Sequence, residues 1–272
     1  MENKLVAWIG EGANQIALLN KLHSVSPLAA IVVERKKSQS KISISKLFEK
    51  AYERLFLADI DNAWQELQHN YRKDYPALPK VDILEVDNIN DESVIEFTKK
   101  YSPHLVIVSG TRLIKKNMFA VTPSLGIVNL HTGLSPYVKG GPNCTNWCIA
   151  NNEIHLIGNT IMVLDEGIDS GNLIETSLVE FSGNETLLDV HTKVMNEAHQ
   201  LYIDVIQSIL KNNSISNTIQ QNNITIGKTY YSKQWTLREK KNLIKNFKNF
   251  STVVNGTEYT NRKEKLVLVK RV

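Results

Sequence analysis

The chain has only two cysteines in 272 residues, Cys144 and Cys148. They lie four apart in a segment that reads as helical, so they supply no disulfide framework. No apolar run approaches the roughly 20 residues that a bilayer crossing requires, and no basic-then-apolar leader opens the chain. The expectation is a cytoplasmic protein without a membrane partner. Proline and glycine, at 7 and 13 residues, are too sparse for a collagen-like or low-complexity chain.

What is present is an ordinary globular composition, 42% hydrophobic and 22% charged. The length suits one large domain, or a domain with a smaller appendage. A net charge of +4 conceals an uneven distribution, because Lys228 to Arg271 holds twelve Lys or Arg against only Glu239, Glu258 and Glu264. The remaining body is mildly acidic. A basic end of this kind suits a polyanionic partner or nucleotide phosphates, and equally a solvated surface.

Hydrophobic spacing lays out the chain. The run Lys4 to Ile9 ends at Gly10, and Ile16, Leu18, Leu19 and Leu22 follow at helical spacing, which predicts strand, turn and helix. Ala29 to Val33 predicts a second strand. From Ser45 to about Tyr75, Leu47, Phe48, Ala51, Leu55, Ile60, Trp64 and Leu67 recur with helical period, an inserted helical pair over about 38–75 closed by Pro76 and Pro79. Strands at Ile83 to Val86 and Leu105 to Val108 flank a helix from Asp91 to Tyr101. Alternation of this kind predicts an α/β fold with a doubly wound, mostly parallel, Rossmann-like sheet. A strand at Gly126 to Leu130, a Gly/Pro loop through Pro142, a helix from about Asn143 to Asn151 and a strand at Asn159 to Leu164 come next. The helix from Thr186 to Lys211 closes a domain spanning 1–212. Residues 213–272 read as a small basic appendage with one or two hairpin strands, at Thr252 to Tyr259 and Lys265 to Lys270.

Three stretches carry chemistry. Asn129 and His131 stand two apart at a strand end and therefore share a face. An amide can donate to a developing oxyanion, and an imidazole can carry a proton or stabilise a negative oxygen. The loop Leu164-Asp165-Glu166-Gly167-Ile168-Asp169-Ser170-Gly171 lacks the ligand spacing of a calcium loop. Its glycines allow close backbone approach while one carboxylate points inward. Between these two lies Gly140-Gly141-Pro142-Asn143, where Asn143 can cap a helix or meet a ligand. Singly, each stretch also reads as an ordinary loop, surface turn or helix start.

Together and in this order, Asn129-Leu130-His131, Gly133-Leu134-Ser135-Pro136 through Gly140, and Asp165 through Gly171 resemble the folate-dependent formyltransferase family. Ser135 and Tyr137 depart from its usual turn. The resemblance implies an enzyme that moves a formyl group from 10-formyltetrahydrofolate to a primary amine, with no metal. By the same resemblance Asn129 would meet the formyl oxygen, His131 would stabilise that oxygen or shuttle the amine proton, and Asp169 would orient His131 and accept a proton. The pterin would lie between Thr111, Arg112, Leu113 and Ile114 on one side and Leu164, Asp165, Glu166, Gly167 and Ile168 on the other.

The family's ribonucleotide enzymes bind phosphate at a glycine-rich turn. Here Gly10-Glu11-Gly12-Ala13-Asn14 is an imperfect version, and it lacks the third glycine of a dinucleotide fingerprint. Acceptor contacts are expected from Gly10, Gly12, Asn14, Lys139, Gly140 and Asn143. About sixty residues after position 210 are few for the barrel of methionyl-tRNA formyltransferase, which argues against tRNA. The expected acceptor is a nucleotide-linked amino sugar, with Tyr230, Tyr231 and Trp235 near its nucleotide. The alternatives are glycinamide ribonucleotide or another small amine, hydrolysis of the donor, and a non-catalytic nucleotide- or RNA-binding module. The insertion or the appendage could carry a homodimer contact.

Overall fold

A computed structural model describes residues 4–35 and 51–271. The chain runs β1 (Leu5–Gly10), α1 (Ala13–His23), β2 (Leu28–Glu34), α2 (Ala58–Asp74), β3 (Asp82–Val86), α3 (Glu92–Lys100), β4 (Leu105–Ser109), β5 (Ile127–His131), β6 (Val138–Gly140), α4 (Cys144–Ala150), β7 (Gly158–Val163), β8 (Leu173–Leu178), α5 (Leu187–Asn212), β9 (Lys228–Tyr230), α6 (Leu237–Phe247), α7 (Phe250–Val254) and α8 (Thr257–Glu264). Of the expected helical insertion, positions up to 50 lie outside the described residues. Residues 51–56 are helical and α2 follows them.

The main sheet has the order β3-β2-β1-β4-β5-β7-β8. Its first five strands pair in parallel, and β7 and β8 complete it antiparallel. The sheet is therefore mostly parallel, as expected. Strand β1 is buried throughout because both of its faces are covered. Leu5, Ala7 and Ile9 pack with Leu18 and Leu22 of α1 and Tyr202 and Ile206 of α5. The alternate residues Val6 and Trp8 pack with Ile89, Val94 and Met118 on the other face.

Strand order reverses between β1 and β4, the place where open α/β sheets form a crevice at the carboxyl ends of their strands. Tyr202 of α5 braces this region from below. Its buried hydroxyl accepts the Val108 N–H at 3.0 Å and donates to the Val128 carbonyl at 2.7 Å, tying β4 to β5. Helix α5 begins at a reciprocal cap between Thr186 and Asp189.

The C-terminal segment differs from the expected hairpin. Residues 252–254 fall in α7 and 257–259 in α8, with a turn between them, and 265–270 form no regular strand. The β-branched run at Thr252, Val253 and Val254 favours a strand locally, but packing decides otherwise. Phe250 and Val254, four apart, bury one helical face, and Phe250 meets Phe181 and Phe247 at ring distances of 5.4 and 5.1 Å. Leu243, Phe250, Val254 and Tyr259 share a core cluster with Cys148, Ile149, Ile154 and Ile157. Beyond α8, Val269 exchanges hydrogen bonds with the backbone and hydroxyl of Thr176 on β8. Strand β9 pairs in parallel with β6, which brings Tyr230 beside Gly140.

Candidate active site

A cavity of about 690 Å³ opens at the carboxyl ends of β1, β4 and β5 and against the loop after β7, a size usual for small-molecule sites. The two-residue period of β5 turns both Asn129 and His131 into it. The loop after β7 brings the carboxylate. Asp169 adopts a left-handed backbone, φ +47°, and its Oδ2 lies 3.3 Å from His131 Nδ1. The same oxygen accepts the Gly140 N–H at 2.9 Å. Positions 131, 140 and 169, from three separate elements, are thereby joined at one atom.

The other two carboxylates of that loop are used differently. Asp165 folds the loop on itself, accepting the Gly167 N–H at 3.0 Å and the Ser170 hydroxyl at 2.7 Å. Glu166 points outward, 3.7 Å from Lys116. From outside, Gln221 donates to the carbonyls of Asp169 and Gly171 at 2.7 and 2.9 Å, fixing the turn that aims Asp169.

His131 is 8% exposed. Its Nε2 faces the Val138 carbonyl at 3.3 Å and the Cys144 sulfur at 3.6 Å. Burial pushes the Cys144 thiol well above its ordinary range. It therefore stays a neutral S–H donor, toward the Gly140 carbonyl at 3.4 Å. Gly133 matters to this geometry because a Cβ there would stand 2.3 Å from His131 Nε2.

One wall of the cavity consists of Thr111, Arg112, Leu113 and Ile114. The carboxylate of Glu34, 0% exposed at its side chain, holds this strip in place. It accepts the N–H of Ile89 at 3.0 Å and of Arg112 at 2.8 Å, and it pairs with Arg112 Nε at 2.5 Å. Arg112 Nη2 reaches the Asp87 carbonyl at 2.9 Å. Asn90 adds bonds from its amide to the Leu113 carbonyl and from the Lys115 N–H to its own oxygen, at 3.0 and 2.6 Å. The charge of Arg112 is thus neutralised inside the wall.

Most residues expected at the site line the cavity: Thr111, Arg112, Leu113, Ile114, Asn129, His131, Leu164, Asp165, Gly167, Ile168 and Asp169, together with Gly12, Asn14, Gly140 and Asn143. Asn143 also caps α4, accepting the Asn146 N–H at 3.1 Å. Gly10, Lys139 and Glu166 are not among the lining residues. Gly10 packs against the Gly110 carbonyl, and Lys139 is in β6 opposite Thr229. The structure adds Glu34 and Gln221 behind the walls, and Trp64 and Met195 on them. A carboxylate closing the otherwise apolar Leu28–Glu34 is a signal that could have marked Glu34. Nothing around Gln221 marks it.

With this geometry in place, comparison with known proteins is decisive for the family. A family profile described as formyl transferase matches residues 4–206. The chain belongs to the formyl transferase family. It is 31% identical over 166 residues to the methionyl-tRNA formyltransferase of Flavobacterium psychrophilum, covering 61% of this chain and 51% of that protein. The chain thus spans about half the length of the curated relatives it matches. Among solved structures, a 4-N formyltransferase from Francisella tularensis is similar in fold, with TM-score 0.56 and 20% identity over 90% of this chain and 88% of that one. So is an N-formyltransferase from Helicobacter canadensis, solved with folinic acid and dTDP-3-aminofucose. Its TM-score is 0.53 and its identity 18%, over 91% and 81% of the two chains.

Proposed function

We propose that the protein transfers a formyl group from 10-formyltetrahydrofolate to the primary amine of a nucleotide-linked amino sugar. The observation that carries this reading is that Asn129, His131 and Asp169 line one cavity, with the Asp169 carboxylate on the His131 ring. At one end, Leu113 lines the cavity while 51% exposed. An apolar side chain held out in this way, in a cavity that Leu164 and Ile168 also line, fits the face of a flat heterocycle, as the pterin of the donor requires.

The donor would supply the formyl carbon: the amine nitrogen bonds to it, the bond from that carbon to N10 breaks, and N10 leaves as tetrahydrofolate with the proton given up by the amine. The Asn129 amide donates to the formyl oxygen as negative charge develops on it. His131 stabilises that oxygen or carries the proton leaving the attacking amine, and Asp169 holds the imidazole through Nδ1 and takes a proton directly or through water. Attack requires the uncharged amine, so a carboxylate within reach serves the reaction at its first step.

At the other end, Tyr230, Tyr231 and Ser232 join Gly12, Asn14 and Asn143 around the cavity. Tyr230 is stacked on Trp147 at 4.3 Å, and Trp235 meets the edge of Trp147 at 4.8 Å, which makes this rim rigid. Exposed Tyr231 and neighbouring Lys233 suit a base and phosphates. The Helicobacter canadensis protein, solved with a nucleotide-linked amino sugar, supports this acceptor class by likeness of fold. A second reading, transfer to methionyl-tRNA, is favoured by the names of the sequence relatives.

The test is a panel of acceptors incubated with 10-formyltetrahydrofolate and read by mass spectrometry. A nucleotide-linked amino sugar should gain one formyl group. Added salt should raise the KM of that acceptor more than the KM of folate. Transfer to methionyl-tRNA, with none to any amino sugar, would reverse the order of the two readings.

The folate wall gives a separate expectation. Glu34→Gln keeps the shape of the side chain but leaves Arg112 without its counter-charge. Charge-assisted bonds of this kind are worth enough that folate KM should rise roughly 10–100-fold, with the acceptor KM near native. Equal rises in both KM values would mean that Glu34 supports the cavity as a whole.

A further inference from the structure

The turn between β1 and α1 has the outward form of an anion cradle, because a glycine-rich turn that opens a helix presents free N–H groups. Its interactions in this chain are internal. The Ala13 N–H donates to Gln68 Oε1 at 2.7 Å, and Gln68 Nε2 donates to Asn14 Oδ1 at 2.9 Å. Asn14 Nδ2 faces the Met195 sulfur at 3.6 Å. A Cβ at Gly12 would come within 2.6 Å of Asn14 Oδ1 and 3.5 Å of Gln68 Oε1, so this glycine makes room for the chain's own carboxamides. A Cβ at Gly10 would strike the Gly110 carbonyl at 2.3 Å. Both glycines are thus accounted for by packing.

Gln68 comes from α2, within the inserted segment. Ala63, Leu67 and Tyr71 bury that helix in the core, and the Tyr71 hydroxyl donates to Asn196 of α5 at 2.9 Å. Trp64, one turn before Gln68 and on the same helical face, lines the cavity. The anchored helix therefore puts the Trp64 ring on the cavity and the Gln68 carboxamide against the start of α1, beside the lining residues Gly12 and Asn14. The side chains that line this end near α1, Asn14 and Gln15, are neutral amides.

We infer that Gln68 is a specificity-determining residue: its carboxamide takes the Ala13 N–H at the start of α1, so the side of the cavity lined by Gly12 and Asn14 takes a neutral hydroxylated group and rejects a phosphate monoester. The inference rests on the reading of the cavity as an acceptor site. It sharpens that reading, since a sugar ring presents hydroxyls where a ribosyl phosphate would present a dianion. The lining carboxamides of Asn14 and Gln15 both donate to and accept from hydroxyls, whereas a phosphate oxygen finds the Ala13 N–H already taken by Gln68 Oε1.

The experiment is binding of inorganic phosphate to the whole chain. It needs no formyl donor and so can fail independently of the proposed activity. Native protein, Gln68→Ala and Gln68→Asn are titrated by calorimetry against phosphate, with chloride at equal ionic strength as reference. Alanine is well tolerated on a half-exposed helical position, and asparagine withdraws the amide by one methylene. Both variants should bind phosphate about tenfold more tightly than native, and phosphate should then compete with the acceptor. The inference is overturned if neither variant gains affinity, or if native protein already binds phosphate as tightly as they do.

Discussion

Asp169→Asn should lower kcat by about 10³–10⁴-fold while Tm and folate affinity stay near native. The substitution is close to isosteric, and the geometry makes it clean. Asp169 Oδ2 alone receives both the Gly140 N–H and His131 Nδ1. An amide oxygen in the same place keeps both contacts, so the loop and the imidazole remain where they are. What disappears is the negative charge beside His131 and the capacity to take a proton from the amine. His131→Ala should cost a similar factor on the proposed mechanism, through loss of the imidazole that Asp169 holds. Because the two residues act as one unit, the double variant should be little worse than the poorer single variant. Steady-state rates and folate titrations on the three proteins check this. An Asp169→Asn enzyme that retains activity within about tenfold of native would remove the carboxylate from the chemistry.

The same three side chains show what a sequence can reveal about a site. Asn129 and His131 are two apart on one strand, so a period-2 rule suffices to put them on one face. The inward aim of one loop carboxylate follows from glycines on either side of Asp169. Local rules also placed the apolar strands β1 and β4, the long helix α5 and its Thr186 start. Residues that act from far along the chain escaped them. Glu34, Gln68 and Gln221 reach the site from β2, an inserted helix and an irregular connection, and each works by hydrogen bonds to distant backbone; the carboxylate ending an apolar strand hints at Glu34, but no local pattern discloses Gln68 or Gln221. The C-terminal segment misled for the opposite reason. Its local β-branched signal at Thr252 to Val254 is real, but burial of Phe250 and Val254 against Phe181 and the α4 region outweighs it.

Acid should unfold this protein well before its surface carboxylates are fully titrated, because α5 carries two buried neutral histidines. His191 and His199 are 1% and 2% exposed. Burial lowers the His191 pKa to about 4, and burial, helped by the charge of Lys21, lowers that of His199 to about 3. His191 meets the edge of Trp64 at 5.9 Å, and among the described residues neither of its ring nitrogens has a hydrogen-bond partner. His199 lies 5.5 Å from the ring of Tyr71. In the unfolded chain both imidazoles titrate near ~6.5. Above that pH neither state is protonated and the full stability is present. As pH falls below it, the unfolded chain takes up protons that the folded chain refuses until about 4 for His191 and about 3 for His199. Stability is therefore lost on the acid side, by about 2 kcal/mol per histidine between pH 7 and pH 5. The two together approach the net stability of an ordinary domain.

Urea unfolding of native protein, His191→Phe and His199→Phe at pH 7 and pH 5 checks this. Each variant should lose about 2 kcal/mol less than native across that interval. His191→Phe should also gain stability at pH 7, since it removes a buried ring with two unpartnered nitrogens. Identical acid losses in all three proteins would mean that other groups govern the transition. The effect bears on the site because both histidines face α2, the helix that puts Trp64 on the cavity and Gln68 against the start of α1.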